Sequence, residues 1–66
     1  MVVVANGDEV EVADGASVAD LLEQLGLAKR LIVVERNGEP VLRRDLPTTR
    51  LADGDRLELV RAVAGG

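Results

Sequence analysis

Few residue types in this chain could carry chemistry, and they direct attention to its carboxyl end. The sequence has no cysteine and no histidine, which removes the thiol nucleophile and the commonest general base and metal ligand. The acidic residues stand singly or in pairs, without the spacing of a calcium-binding loop. What remains is the terminal pair Gly65 and Gly66, whose α-carboxylate is ionised at neutral pH. We therefore expect no catalytic residue and no metal site.

Composition and net charge exclude further classes of function. The chain has no aromatic residue, so it lacks the stacking platforms that bind single-stranded nucleic acid. A net charge of −4 opposes binding to a phosphate backbone. No apolar run approaches the roughly 20 residues of a membrane span, and the first residues lack the pattern of a charged region followed by an apolar signal core. We expect a cytoplasmic protein that binds neither nucleic acid nor membrane.

The charges are unevenly distributed along the chain. Residues 1–28 carry six acidic and no basic side chains, whereas residues 29–66 carry eight basic and six acidic ones. Such asymmetry can orient docking on a partner, although a merely solvated surface shows the same pattern. In the basic half, Arg43 and Arg44 could bind a phosphate or an acidic partner, or could simply be solvated.

A hairpin and a helix are predicted in the first half. Asn6 and Gly7 separate two β-branched runs and favour a type I′ turn, with Val3 and Ala5 facing inward and Val2 and Val4 outward. Ser17 is a suitable helix N-cap, and Asp20 stands where a carboxylate completes a capping box. The apolar stripe of this helix consists of Val18, Leu21, Leu22 and Leu25. Gly26 and Leu27 are expected to end the helix.

The second half predicts another strand pair and a last strand. Asn37 and Gly38 mark the turn, and Pro40 places the returning segment at a sheet edge because proline cannot donate to a ladder. Residues 43–50 read as an irregular connection. The last strand directs alternate leucines inward, which leaves Val60 outward, like Val33. We expect Val33, Val60 and Arg61 to form a docking surface near the exit of the carboxyl end, with Val2 and Val4 as further candidates.

The order of these elements predicts one domain of the α+β class. A helix between two hairpins must cover one face of a mixed sheet of four to five strands, and the crossover rule then puts the first and last strands side by side in the middle. This is a ubiquitin-like β-grasp over residues 1–63. Residues 64–66 are expected to form a flexible diglycine tail that leaves a central strand.

Four segments of the sequence are distinctive when taken together: DGASVADLLEQLGL at 14–27, VVERNGEPV at 33–41, LADGDRLELV at 51–60, and Gly65 with Gly66. They resemble the ThiS family of sulfur carriers in thiamine biosynthesis, which is related to the small subunit of molybdopterin synthase. The chain differs in carrying Ala64 where a third glycine is frequent, and in its arginine-rich stretch at 43–50.

This resemblance implies a carrier, not an enzyme. The Gly66 carboxylate would be adenylated by a ThiF or E1-like adenylyltransferase, which uses ATP, and then converted to a thiocarboxylate. Gly65 and Ala64 would be recognised as part of the tail. The carrier would need no cofactor of its own. The implied partners are a sulfur donor such as a cysteine desulfurase, and a ThiG-like thiazole synthase that receives the sulfur.

The sequence alone leaves two other functions open. The chain could serve a different pathway as a thiocarboxylate carrier or ubiquitin-like modifier, for example in molybdopterin synthesis or tRNA thiolation. It could instead be a non-catalytic interaction module in which the two glycines are idle.

Overall fold

The computed structural model describes residues 1–62, which form a five-stranded sheet packed against one helix. The elements are strands β1 (Val2–Ala5), β2 (Asp8–Glu11), β3 (Ile32–Arg36), β4 (Glu39–Val41) and β5 (Arg56–Arg61), helix α1 (Val18–Gln24), and a 3-10 turn at Arg43–Asp45. This arrangement confirms the predicted fold class. The predicted boundary between the domain and its tail, at residues 63 and 64, lies outside the described residues.

The strand order places β5 in the centre of the sheet. The order is β2-β1-β5-β3-β4. Strand β5 pairs in parallel with β1 and antiparallel with β3, as the crossover argument predicts for the first and last strands. Strand β4, which contains Pro40, forms one edge of the sheet. Because β5 is central, the chain approaches its carboxyl end from a strand that is supported on both sides.

The first hairpin has the predicted inward and outward faces. Asn6 and Gly7 both have positive φ, 51° and 85°, as a type I′ turn requires. Val3 and Ala5 are buried, whereas Val2 is exposed. The strands pair so that Val3 lies opposite Val10, which is half-buried and packs against the core.

Helix α1 begins and ends with the predicted caps. The Ser17 hydroxyl accepts a 3.1 Å hydrogen bond from the Asp20 N–H, and the Asp20 carboxylate accepts one of 2.9 Å from the Ser17 N–H. The hydrogen bond from the Ser17 N–H to the carboxylate, and after it the nearby Ser17 side chain, hold the pKa of Asp20 below its ordinary value. At the other end, Gly26 and Leu27 donate to the carbonyls of Glu23 and Leu22 at 3.0 and 2.7 Å, which is a Schellman motif.

The core is aliphatic and lies between α1 and one face of the sheet. Its buried members are Val3, Ala5, Val12, Ala16, Val18, Leu21, Leu22, Val34, Leu51, Leu57 and Leu59. The inward position predicted for Leu25 is wrong: Leu25 is the C-cap of the helix and is 38% exposed. The helix ends at Gln24, so Leu25 no longer continues the apolar stripe, and Leu27 packs against the core instead.

Candidate functional site

The predicted reactive end of the chain lies beyond the part that the structure describes. Gly66, together with its predicted recognition partners Gly65 and Ala64, falls outside residues 1–62. What the structure does position is β5, the strand that leads toward these residues. The site is therefore described through the contacts of β5 and the surfaces that surround its carboxyl end.

The Asn6 side chain extends the support of β5 beyond the end of β1. The ladder between β1 and β5 pairs Val4 with Arg56 and Ala5 with Leu57, after which the chain turns away at Asn6. The side-chain amide of Asn6 then donates to the Leu59 carbonyl at 3.0 Å and accepts from the Leu59 N–H at 2.8 Å. It thus satisfies both main-chain groups that a further strand residue would have satisfied.

A second asparagine holds the beginning of β5 through a buried carboxylate. The Asn37 amide oxygen accepts from the Arg56 N–H at 2.9 Å, and its nitrogen donates to Asp55 at 3.0 Å. Asp55 is 6% exposed and also accepts from Arg36 Nε at 2.8 Å and from the Ala52 N–H at 2.7 Å. Burial by itself raises the pKa of Asp55, but these three donors outweigh it and hold the pKa below the ordinary value.

Val33 and Val60, two predicted docking residues, lie directly opposite each other. They form a cross-strand pair between β3 and β5 and are 53% and 59% exposed. Leu31 is 50% exposed, and its carbonyl accepts a hydrogen bond from the Ala62 N–H, so alternation along β3 puts it on the same face as Val33. We call Leu31, Val33 and Val60 the apolar patch. It lies on the face away from α1, at the end of β5 that leads to the carboxyl terminus.

Two features border the apolar patch. Glu35 and Glu58 are exposed and form the next cross-strand pair on the same face as Val33 and Val60, an arrangement of like charges that destabilises a sheet. Toward the sheet edge, the register of β3 with β4 continued by one residue brings the exposed Leu42 opposite Val33. The patch is thus apolar in its centre and negatively charged on one side.

The other residues that were predicted to join the docking surface do not adjoin Val33 and Val60 on that surface. Val2 and Val4 share its face of the sheet, but Val4 pairs with Arg56 at the start of β5, and Val60 lies four residues farther along that strand. Arg61 pairs with Ile32. Because Ile32 packs against the core, alternation directs Arg61 to the helix-covered face. The structure therefore brings together Val33 and Val60, but not Val2, Val4 or Arg61.

The described residues contain neither a candidate metal site nor a candidate membrane helix. Over residues 1–62, no group of three or more acidic side chains is arranged to hold a metal ion. None of the helical segments in the same range has the length and apolar character needed to cross a membrane. Arg43 and Arg44 are exposed residues of the 3-10 turn.

Comparison with known proteins decides the family. The sequence model of the ThiS family matches residues 2–66. The chain belongs to the ThiS family. The predicted resemblance is thereby confirmed, and the match extends beyond the described residues through Gly65 and Gly66.

Individual ThiS-family relatives differ in how much of their length the chain covers. It is 34% identical over 62 residues to the sulfur carrier protein ThiS of Bacillus subtilis (strain 168). This match spans 92% of this chain and 94% of that protein. It is 38% identical over 66 residues to a thiazole synthase of Paramagnetospirillum magneticum (strain ATCC 700264 / AMB-1). That match takes in the whole of this chain but only 20% of the synthase, so the chain spans about a fifth of that relative's length.

A solved structure of a ThiS protein has the same fold. The crystal structure of the thiamine biosynthesis protein (ThiS) from Geobacter metallireducens superposes with a TM-score of 0.84 at 33% identity, and each chain is covered in full. The ThiS fold of this chain is therefore shown by both sequence and structure.

Sequence reasoning missed four contributors to this ThiS site. Leu31 could have been found by counting back two residues from Val33 along β3. Asn6 and Asn37 hold β5, and Asp55 binds Asn37, but these roles had no local signal, because each of these bonds joins residues far apart in the chain.

Proposed function

We propose that this chain is a sulfur carrier of thiamine biosynthesis, and that its reactive group is the carboxylate of Gly66. The observation that carries the proposal is the ThiS-family match, which runs through Gly65 and Gly66. The relative matched over 94% of its length is named a sulfur carrier protein. The absence of cysteine and histidine fits a protein that is a substrate of other enzymes and not itself an enzyme.

The proposed chemistry begins with adenylation. The ionised carboxylate of Gly66 attacks the α-phosphorus of ATP; a bond forms from carboxylate oxygen to phosphorus, and the bond to pyrophosphate breaks. The resulting mixed anhydride would hydrolyse in water, so this step belongs in the water-poor site of a ThiF or E1-like adenylyltransferase. That enzyme consumes the ATP, and the carrier needs no cofactor. The terminal sulfur of a persulfide, which a cysteine desulfurase draws from cysteine, then attacks the acyl carbon and displaces AMP. A thiol, such as that of excess cysteine, reduces the acyl disulfide so formed, and the products are the thiocarboxylate and a disulfide.

The terminal glycines suit entry into such a site. Without a Cβ atom, Gly65 and Gly66 permit close approach of an enzyme to their backbone. Holding a glycine-rich segment in one conformation costs about 1–2 kcal/mol per residue, so another surface must supply favourable binding free energy. We assign that role to the apolar patch, because well-packed apolar contacts at an interface centre carry much of the affinity.

Charge indicates the chemistry of the partner surface over the patch. Glu35 and Glu58 lie side by side at the border of the patch, where they repel each other in the free protein. A basic group on the partner, placed between the two carboxylates, would relieve this repulsion. The partner surface is therefore expected to be apolar over Val33 and Val60 and basic over the glutamates.

A ThiG-like thiazole synthase is the proposed acceptor of the sulfur. The thiazole synthase of Paramagnetospirillum magneticum contains a segment similar to the whole of this chain. This similarity supports thiazole formation over the molybdopterin and tRNA pathways as the destination of the sulfur.

The carrier function is tested by intact mass spectrometry. The chain is incubated with the ThiF-like adenylyltransferase of the same organism, ATP, cysteine and a cysteine desulfurase. We expect a product in which one carboxyl oxygen has been replaced by sulfur. The control is the chain without Gly66, which should stay unmodified. Absence of the sulfur-containing product with the intact chain would reject the proposal.

The destination of the sulfur is tested by genetic rescue. The coding sequence is placed in a strain that lacks its own ThiS and in a second strain that lacks its molybdopterin carrier. We expect growth without added thiazole in the first strain and no rescue in the second. Rescue of the second strain alone would assign the carrier to molybdopterin synthesis.

A further inference from the structure

Basic residues from three separate segments of the chain lie on the helix-covered face, near the end of β5. Arg30, which precedes β3, and Arg43, in the 3-10 turn, line one shallow depression of about 50 Å³. Its apolar lining includes Leu22 of α1, Ile32 of β3 and Leu46. The two arginines are far apart in the sequence, and the fold brings them together around an apolar floor.

Arg61 joins this group through the register of the central strands. It pairs with Ile32, a residue that lines the same depression. Strand alternation directs it to the face on which Leu57 and Leu59 are buried. We call Arg30, Arg43 and Arg61 the basic cluster. It lies on the opposite face of the sheet from the apolar patch, at the same end of β5.

The described acidic residues do not neutralise the basic cluster. The ion pairs found within residues 1–62 are the amino terminus with Asp14 and Arg36 with Asp55, and neither includes a member of the cluster. Lys29 and Arg44 add two exposed cations beside it. In a chain of net charge −4, a concentration of like charge at one place raises the energy of the free protein and favours a partner of opposite charge.

We propose that the basic cluster is a second docking surface, which binds a carboxylate-rich surface of the proteins that the carrier visits. This proposal rests on the proposed carrier function. A partner would then contact both faces of the sheet at the end of β5. It would bind the apolar patch on one face and the basic cluster on the other, and these contacts would position Gly66 for reaction. Interfaces combine arginine with apolar side chains in this way.

The form of the cluster favours a protein partner over a small phosphate ligand. Its three arginines are exposed and come from the segment before β3, from the 3-10 turn and from β5, and the depression that Arg30 and Arg43 line has an apolar lining that includes Leu22, Ile32 and Leu46. A phosphate site would be expected to offer converging backbone N–H groups in a glycine-rich loop or at a helix N-terminus. Neither feature lines this depression.

The test compares charge reversal in the cluster with charge reversal elsewhere. The double variant Arg43→Glu/Arg61→Glu and the control Arg50→Glu, an exposed arginine that donates to the Gly15 carbonyl and belongs to neither surface, are titrated against the ThiF-like adenylyltransferase and the ThiG-like thiazole synthase. Because steered association falls steeply with ionic strength, we expect the wild type to lose about tenfold in affinity between about 50 mM and about 300 mM salt. The double variant should bind at least about tenfold more weakly at low salt and show little salt dependence, while the control stays within about twofold.

The contrary outcomes are distinct from failure of the carrier function. If the wild type is converted to the thiocarboxylate but the double variant binds both enzymes as tightly as the wild type, the basic cluster is not a docking surface. The same conclusion follows if the wild type binds neither enzyme, or if pyrophosphate alone saturates the cluster in an NMR titration while enzyme binding is unchanged in the variant. Failure of the loading reaction in the wild type would instead reject the carrier function.

Discussion

Asn6 hydrogen-bonds both main-chain groups of Leu59, at 3.0 Å to the carbonyl and 2.8 Å from the N–H, across a sequence separation of 53 residues. A side chain thus takes the place of the next residue of β1 beside the central strand. The strand that leads toward Gly66 is held at Leu59, two residues before its last residue, Arg61.

Asn6→Gly tests this contact without straining the turn, because glycine tolerates the φ of 51° at position 6. Loss of the two hydrogen bonds should lower the free energy of unfolding by about 1–2 kcal/mol. Hydrogen exchange should accelerate at the Leu59 amide and much less at Leu57, which pairs with Ala5 in the ladder between β1 and β5. Equal acceleration at both amides would show that the side chain has no local role.

Asp55 is the stabilising centre at the other end of β5, and Asp55→Ala should be among the costlier substitutions outside the aliphatic core. It removes a buried carboxylate that accepts from Arg36, Asn37 and Ala52. Hydrogen bonds to charged groups and the cost of unpaired donors predict a loss of about 2–3 kcal/mol in the free energy of unfolding. The control is Asp14→Ala, whose side chain is 96% exposed in its ion pair and which should cost less than about 1 kcal/mol. Denaturant unfolding measures both, and equal losses would contradict the assignment.

The same carboxylate predicts a pH dependence of stability. Because the pKa of Asp55 in the folded protein is lowered from its ordinary value of 3.8, its contribution is present above that value and is lost as the pH falls through the lower, folded-state pKa. Asp55→Asn removes this titration. The difference in unfolding free energy between wild type and variant should therefore be largest near neutral pH and shrink below about pH 4. A difference that stays constant down to pH 2 would mean that the folded protein does not lower this pKa.

Val60→Asp should weaken partner binding with little effect on folding. Val60 is 59% exposed, so its replacement should change the unfolding free energy by no more than about 1 kcal/mol. Binding to the adenylyltransferase should weaken by about tenfold or more if Val60 is central to the interface. Val2→Asp, on the same face but at the other end of the sheet, is the matched control and should bind normally. Unchanged affinity for Val60→Asp would remove the apolar patch from the site.

One alanine appended after Gly66 should abolish loading. It moves the carboxylate away from the glycine pair and adds a Cβ atom at the residue that must enter a narrow site. Stability should stay within about 0.5 kcal/mol of the wild type, because the core of the described residues lies between Val3 and Leu59. Mass spectrometry of the loading reaction measures the effect. Normal function of the extended chain would favour an interaction module in which the glycines are idle.

The sequence determined the local elements of this protein. The Ser17 and Asp20 caps, the Gly26 helix end, and the turn at Asn6 and Gly7 were all predicted from neighbouring residues and are confirmed. Each is governed by backbone preferences and hydrogen bonds within a few positions, so its signal is present in a short window. The family was likewise predicted from the segments that resemble ThiS, and the match of the family model confirms it.

Only the tertiary structure decided which outward residues share a surface. Alternation predicted that Val2, Val33 and Val60 point outward, and all three are exposed. It could not predict their positions along neighbouring strands, which depend on the register between β1, β3 and β5. That register separates Val2 from the apolar patch and pairs Arg61, which alternation directs to the opposite face, with Ile32, a residue that lines the same depression as Arg30 and Arg43. The physical reason is that register and crossover are set by packing the whole core and by contacts between distant residues, such as Asn6 with Leu59 and Arg36 with Asp55.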